Sequence, residues 1–393
     1  MKKIIAMVFF LTLILSFGNS VVAIAGTNDG GKIPNSHERA KSTCLIDFDT
    51  GSVLLEHNAN EKSEIASMVK IMTLLLAFEN IQDGYLSLDQ KIMVSENASG
   101  MGGSQIYIKA GDMYTISDLI KGIIVCSAND ASIAIAEAIS GSEATFVELM
   151  NKRAQELKMN DTIFVNATGL PGDNQYSTAR DVSIMMCELL KHNEYLNFSS
   201  IQIENFLHPD GRITELVNTN KLIRNYKGCD AGKTGFTNSA AFCLSASAKR
   251  ANMRLVATVI GASDSKIRFR EVASLFNHGF ANYIQEVIIN KDDIIENTID
   301  VKKGEPKQIQ LRADKSIKYL RKKGDTKKYH IDFQMPNDLK APIDKGAILG
   351  RIIVSLEDGT ILDEANIIAE CEIKVISLKE SIKKVIDDWF WQK

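Results

Sequence analysis

The chain lacks a strong excess of charge. Its 46 basic and 49 acidic side chains leave a formal net charge of -3, which argues against a basic footprint for nucleic acid. No glycine-rich phosphate loop follows an expected strand, and no dinucleotide fingerprint appears. Cysteine is scarce: Cys44, Cys126, Cys187, Cys229, Cys243 and Cys371 form neither CxxC pairs nor a dense framework. Most stand in apolar strings, so they read as small buried hydrophobes rather than disulfide partners. Beyond the first residues, no stretch has the roughly 18 uninterrupted apolar residues that a membrane span needs. There is no internal repeat and no low-complexity tract.

What is present is ordinary globular material, 45% hydrophobic and 24% charged, over 393 residues, enough for two domains. The first 25 residues read as a secretory signal. Lys2 and Lys3 precede an apolar run over 4–17, and Ala23-Ile24-Ala25 offers small residues for cleavage before Gly26. An uncleaved anchor is the alternative, and either way the body of the protein is expected outside the cytoplasm. Residues 26–39 read as a flexible leader. A hairpin signal follows from Lys41, turning at Asp49-Thr-Gly51. Helices are expected over 65–81, over 115–139 with a break at Ser127-Ala-Asn129, over 143–159 and over 177–192. A strand pair over 230–260 and a closing helix over 265–285 complete a catalytic domain at 40–287. The fold class is α/β (α+β), a sandwich of antiparallel sheet and helices. Residues 288–375, rich in Ile, Val and Lys, read as a small all-β domain. In 376–393, Ile382, Val385, Ile386, Trp389 and Phe390 share one helical face opposite Lys383, Lys384, Asp387 and Asp388. That pattern suits a helix lying on a membrane surface.

Three short motifs carry chemistry. Ser67-Met-Val-Lys70 places a hydroxyl and an amine on one helix face. A serine is a poor nucleophile until a base takes its proton. A lysine among Ile65, Met68, Val69 and Ile71 can have its charge disfavoured by desolvation. The same spacing at Ser263/Lys266 and Ser381/Lys384 shows that the motif alone is weak, since a solvated helix face explains it equally. Ser127-Ala-Asn129 offers a proton relay and an amide for a peptide, or a plain helix cap. Lys233-Thr-Gly235 opens an apolar strand; lysine and threonine can bind a carboxylate, and glycine admits a substrate backbone. A charged strand start with a turn glycine is the plain alternative.

The three together, 60 and 106 residues apart, form the motif set of penicillin-binding proteins and class A β-lactamases. The sequence resembles the D-alanyl-D-alanine carboxypeptidase family of low-molecular-weight penicillin-binding proteins from about Cys44 to the C-terminus. Gly103-Ser104, Asn166-Ala-Thr-Gly-Leu170, Tyr176-Ser-Thr-Ala179 and Asp230-Ala-Gly add to the likeness. The resemblance implies that Ser67 is acylated, Lys70 is its base and Ser127 relays a proton. It implies that Asn129 holds the peptide and that Lys233 and Thr234 bind the terminal carboxylate. Gly235 and Phe236 then lie beside the substrate, with the Ser67 and Phe236 N–H groups as oxyanion hole. It implies no metal or organic cofactor. The partners would be peptidoglycan stem peptides ending in D-Ala-D-Ala, β-lactams as covalent inhibitors and the outer face of the cytoplasmic membrane. Ile65, Ala231 and Gln175 depart from the family's usual Pro, Gly and His. A β-lactamase needs a further glutamate; Glu156 is the candidate, but it reads as a solvated helix residue. A wall-binding module without catalysis and a related endopeptidase or transpeptidase are the other readings.

Overall fold

The structure, a computed structural model, describes residues 40–336, 338–377 and 382. The signal and leader over 1–39, and all but three residues of the tail over 376–393, lie outside the described residues.

β1 (Ser42–Asp47) and β2 (Val53–His57) form the expected hairpin. A 3-10 turn, Ala66–Val69, then runs into α1 (Lys70–Gln82). The single helix expected over 65–81 is therefore a 3-10 turn running directly into an α-helix through right-handed Val69 and Lys70. Ala66, at a φ of +47°, is left-handed and marks the N-terminal start of that turn. β3 (Lys91–Met93), α2 (Glu96–Ser99) and β4 (Met113–Thr115) follow. Thr115 caps α3 (Ile116–Cys126) by accepting from Asp118 N–H. Ser127 ends α3 at a φ of +67°, and α4 (Asn129–Ser140) begins two residues later. The break expected at Ser127-Ala-Asn129 is thus present. α5 (Glu143–Glu156) and α6 (Ala179–Leu189) are the next two expected helices.

Sequence periodicity contains no clear element over 193–228. The structure places α7 (Asn193–Ser199), a hairpin of β5 (Ile203–Leu207) and β6 (Ile213–Val217), and α8 (Leu222–Asn225) there. The strand pair expected over 230–260 is corrected to three strands: β7 (Cys229–Thr237), β8 (Ala241–Arg250) and β9 (Met253–Ala262). The turn between β7 and β8 has no glycine or proline to announce it. α9 (Ser265–Asn282) starts at Asp264, whose carboxylate accepts from Lys266 and Ile267 N–H.

Five of the catalytic-domain strands form one antiparallel sheet in the order β2-β1-β9-β8-β7, while β3–β4 and β5–β6 pair as separate hairpins. Side chains alternate across it with period two. On β9, Val256 and Ile260 face a core shared with α1, α3, α4 and α6, whereas Leu255, Ala257 and Val259 face α9. Both faces are covered, so β9 reads as a continuous apolar run. This order leaves β7 at an edge, beside the Ala66–Val69 turn.

The chain then continues as β10 (Tyr283–Ile289), β11 (Ile294–Lys302), β12 (Gly304–Glu305), β13 (Gln308–Ala313) and β14 (Ile317–Lys322). β15 (Tyr329–Gln334), β16 (Leu339–Lys340), β17 (Ile348–Leu356), β18 (Ile361–Ala369) and β19 (Lys374–Val375) complete it. The helix expected to run to 285 stops at Asn282, because Tyr283 begins β10, which pairs with β14. Six strands form a sheet in the order β15-β17-β18-β13-β11-β16 around a core that includes Leu311, Ile352, Val354 and Ile367. Lys318 of β14 meets Asp49 of the first hairpin at 2.6 Å. Among the described residues no helix is long and apolar enough to cross a membrane. The six cysteines are free thiols. Burial pushes five of them, Cys44, Cys126, Cys187, Cys229 and Cys243, up from the ordinary thiol range, as for inert core thiols.

Candidate active site

The three motifs meet between the Ala66–Val69 turn, the α3–α4 junction and the edge strand β7. Lys70 is fully buried. Its Nζ lies 3.2 Å from Ser67 Oγ, and donates to Asn129 Oδ1 at 2.6 Å and to the Thr168 carbonyl at 2.5 Å. The solvated-face alternative for this motif does not hold here, whereas Ser263 and Lys266 are indeed exposed. Burial, and then the charge of Lys233, holds the Lys70 amine well below the usual lysine range. Among the described residues no carboxylate lies within ion-pair distance of Lys70 or Lys233.

Ser127 and Asn129 are not side-chain caps. The N-cap of α4 is Ala128, with no side-chain hydrogen bond. Ser127 Oγ accepts from Lys233 Nζ at 2.7 Å. Asn129 turns its amide so that Oδ1 faces Lys70 while Nδ2 donates to Gly102 O at 2.6 Å. Its own N–H donates to Ser104 O at 2.7 Å. Lys233 is buried as well, not a solvated strand start. Burial pushes its amine down to about 7, opposed in part by Cys126 and helped to a lesser extent by the Arg268 charge.

Gly235 has a steric reason. A Cβ there would lie 2.6 Å from Ile65 O and 3.2 Å from Ser67 N, so only glycine lets β7 press against the serine turn. Phe236 is half-exposed at the same edge, its ring stacked on Phe242 at 4.4 Å between centroids. Thr234 Oγ1 donates to Thr219 Oγ1 at 2.9 Å.

The loop 166–170 closes the far side. Gly169, at a φ of +78°, sits where a Cβ would strike Ala66 O. Asn166 Oδ1 accepts from Gly169 N–H at 2.7 Å, and Gln175 Oε1 accepts from Val165 N–H at 3.0 Å and Asn166 N–H at 3.2 Å. Gln175, a departure from the family pattern, therefore braces the loop whose Thr168 carbonyl receives Lys70.

Three residues near the site are not candidates from the sequence. Asp130 is buried and accepts from the N–H groups of Ile106 and Ile108, each at 3.2 Å, and Ala131 at 2.9 Å, which fixes the 102–108 loop beside Asn129. Arg268 of α9 donates to Gly235 O at 3.1 Å behind β7. Thr219 is the third. The run Ser127-Ala-Asn-Asp130 hinted at the aspartate, but nothing in the local pattern marks Arg268 or Thr219. Glu156 is exposed at the end of α5 and pairs with Arg153 at 3.1 Å, so it lies outside this constellation.

A family model described as D-alanyl-D-alanine carboxypeptidase matches residues 31–264. The chain belongs to that family. A second model, penicillin-binding protein 5 C-terminal domain, matches residues 283–375 of this carboxypeptidase. Its sequence is 38% identical over 390 residues, 99% of each chain, to the D-alanyl-D-alanine carboxypeptidase DacF of Bacillus subtilis. Penicillin-binding protein 5 from Haemophilus influenzae is similar in structure, with a TM-score of 0.66 at 28% identity over 86% of this chain and 98% of that one. Penicillin-binding protein D2 from Listeria monocytogenes, solved in an ampicillin-bound form, aligns with a TM-score of 0.56 at 29% identity, over 64% of this chain and 100% of that one. The carboxypeptidase is a serine-type hydrolase with the α/β sandwich and C-terminal all-β domain expected from its sequence.

Proposed function

We propose that this chain removes the terminal D-alanine from peptidoglycan stem peptides ending in D-Ala-D-Ala, through an acyl-enzyme on Ser67. The observation that carries this reading is the 3.2 Å contact between Ser67 Oγ and the fully buried Lys70 Nζ. Desolvation favours the neutral amine, and a neutral amine can take the serine proton. Ser67 Oγ attacks the carbonyl carbon of the penultimate D-alanine, and the electron pair moves onto the carbonyl oxygen. The Ser67 and Phe236 N–H groups receive that oxyanion. Collapse breaks the C–N bond, and the proton held by Lys70 returns to the leaving nitrogen by way of Ser127. Water then attacks the ester; Lys70 takes its proton and gives it to Ser67 as the shortened peptide leaves. Asn129 holds the substrate amide, Lys233 and Thr234 hold the terminal carboxylate, and Gly235 lets the peptide lie along the edge of β7.

A β-lactam presents the same amide and carboxylate, so it acylates the same serine; the ampicillin-bound listerial relative supports this extension. The lysine-led apolar N-terminus and the amphipathic 376–393 pattern support export and attachment to the outer face of the cytoplasmic membrane. There the substrate is the growing cell wall.

Exposure to benzylpenicillin should leave one penicilloyl group on Ser67, read by intact mass and peptide mapping. Lys70→Ala should slow that acylation by about 10²–10⁴-fold. An adduct on another serine, or wild-type acylation without Lys70, overturns the assignment. Mass spectrometry of a pentapeptide stem should show loss of a single D-alanine.

A further inference from the structure

Thr219 lies between β6 and α8, flanked by two buried asparagines, Asn218 and Asn220. Asn218 Nδ2 donates to Ser199 O at 3.1 Å and Ile201 O at 2.7 Å, and its Oδ1 accepts from Asn220 N–H at 2.9 Å. Asn220 Nδ2 donates to Ala231 O at 3.2 Å, and its Oδ1 accepts from Leu222 N–H at 3.1 Å. Both amides are spent on backbone groups, from the end of α7 on one side to β7 on the other. Thr219 N–H donates to Val125 O, in the last turn of α3, at 3.1 Å. These ties fix one backbone position between α3 and β7, and the side chain that emerges there touches Thr234.

The direction of that contact matters. Thr234 Oγ1 donates and Thr219 Oγ1 accepts, at 2.9 Å. A hydroxyl carries one proton and two acceptor lone pairs. The Thr234 proton is therefore engaged, while no acceptor among the described residues takes the Thr219 proton. Thr219 is only half-buried, so its hydroxyl can reach a ligand. On the other side of Thr234, Lys233 supplies the cation, with its Nζ 2.7 Å from Ser127 Oγ. A carboxylate offers about four lone-pair sites, enough for an ammonium and two hydroxyls.

We propose that Thr219 is a specificity-determining residue whose hydroxyl donates to the terminal carboxylate of the substrate. This rests on the reading of Lys233 and Thr234 as the carboxylate site, and adds to it the free proton that Thr234 lacks. The incoming carboxylate meets the Lys233 charge and the Thr219 proton first, and Thr234 then turns its own proton from Thr219 to the ligand.

The test uses two N-acyl-D-alanyl thioesters, one with thiolactate as leaving group and one with the methyl ester of that thiolactate. They differ only in the terminal negative charge, and thiol release is followed for both. Thr219→Val and Thr219→Ala should each lower the ratio of kcat/KM for the charged over the uncharged donor by about ten-fold, with the loss in KM. Ten-fold corresponds to about 1.4 kcal/mol. Thr219→Ser should keep the wild-type ratio. The uncharged donor gives each variant its own internal reference for an assembled site. An unchanged ratio in both the valine and alanine variants overturns the inference. Thr234→Val, run in parallel, separates the two levels. If it lowers the ratio and the Thr219 variants do not, the role of Thr219 falls and the carboxylate reading stands. If none of them lowers it, both fall.

Discussion

Two lysines with no carboxylate in ion-pair distance among the described residues share this site, and their environments decide their work. Lys70 is held well below the ordinary lysine range by burial and by its neighbour's charge. Lys233 comes down to about 7 through burial. A lysine is charged below its pKa, so the base Lys70 becomes competent as pH rises and the cation Lys233 is lost as pH rises past about 7. The expected profile of kcat/KM, which reports the free enzyme, climbs with loss of the Lys70 proton and declines above about 7. A bound carboxylate favours the charged form of Lys233, so kcat should hold to higher pH than kcat/KM. Lys233→Arg should move the descending limb of kcat/KM above about pH 9, because a guanidinium stays charged. Steady-state kinetics across the pH range checks this; a descending limb that stays in place with arginine assigns it to another group.

At the scale of elements, the site depends on a strand lying against a turn. β7 is at the sheet edge, and Gly235 is the point where it meets the Ala66–Val69 turn. In Gly235→Ala the added methyl would stand 2.6 Å from Ile65 O, and backbone cannot yield as a flexible side chain can. Overpacking of this kind costs about 1–3 kcal/mol, and a displacement of about 1 Å at a reacting group can cost about 10²-fold in rate. The alanine variant should therefore acylate with benzylpenicillin at least ten-fold more slowly, measured alongside its thermal unfolding midpoint. Wild-type acylation would mean that strand and turn are free to move apart. The same scale explains where expectation and structure part. Apolar period marked α1, α3, α4, α5 and α6, but not the left-handed Ala66 that opens a 3-10 turn ahead of α1. Nor did it mark the β5–β6 hairpin, whose residues face solvent on one side with Ile203, Leu207, Ile213 and Val217 exposed. That apolar-outward pattern resists reading by alternation.

For the whole molecule, the β domain begins as α9 ends and is tied back to the first hairpin through Lys318 and Asp49. Leu320 of β14 also packs against the core beneath α9. Such ties hold the β domain against the catalytic domain. In the proposed attachment to a membrane the anchor is the amphipathic 376–393 pattern, whose Trp389 and Trp391 are residue types suited to the headgroup level. A mature chain ending at Val375 should remain soluble and fully active on small peptides, whereas the chain through Lys393 should float with liposomes. Equal partitioning of the two in a flotation gradient would sink the anchor; loss of activity on truncation would make the tail a support for the fold.

The sequence by itself determined the type of the main helices, the alternation of the apolar strands and the three motifs. These are local properties, carried by period and by neighbouring residues. Its motif set also determined the family, since each motif is weak alone and their order is not. Only the tertiary structure decided that Lys70 and Lys233 are buried beside each other, because burial depends on what packs from elsewhere in the chain. It alone decided that Asp130 holds the 102–108 loop, that Gln175 braces the loop receiving Lys70, and that Thr219 meets Thr234. Each of these pairings joins residues more than ten positions apart or on different elements, except the Gln175 contacts, which close a compact local loop. Such contacts leave no periodic trace in the sequence, because the partner's position is set by the packing of the sheet and helices rather than by spacing along the chain.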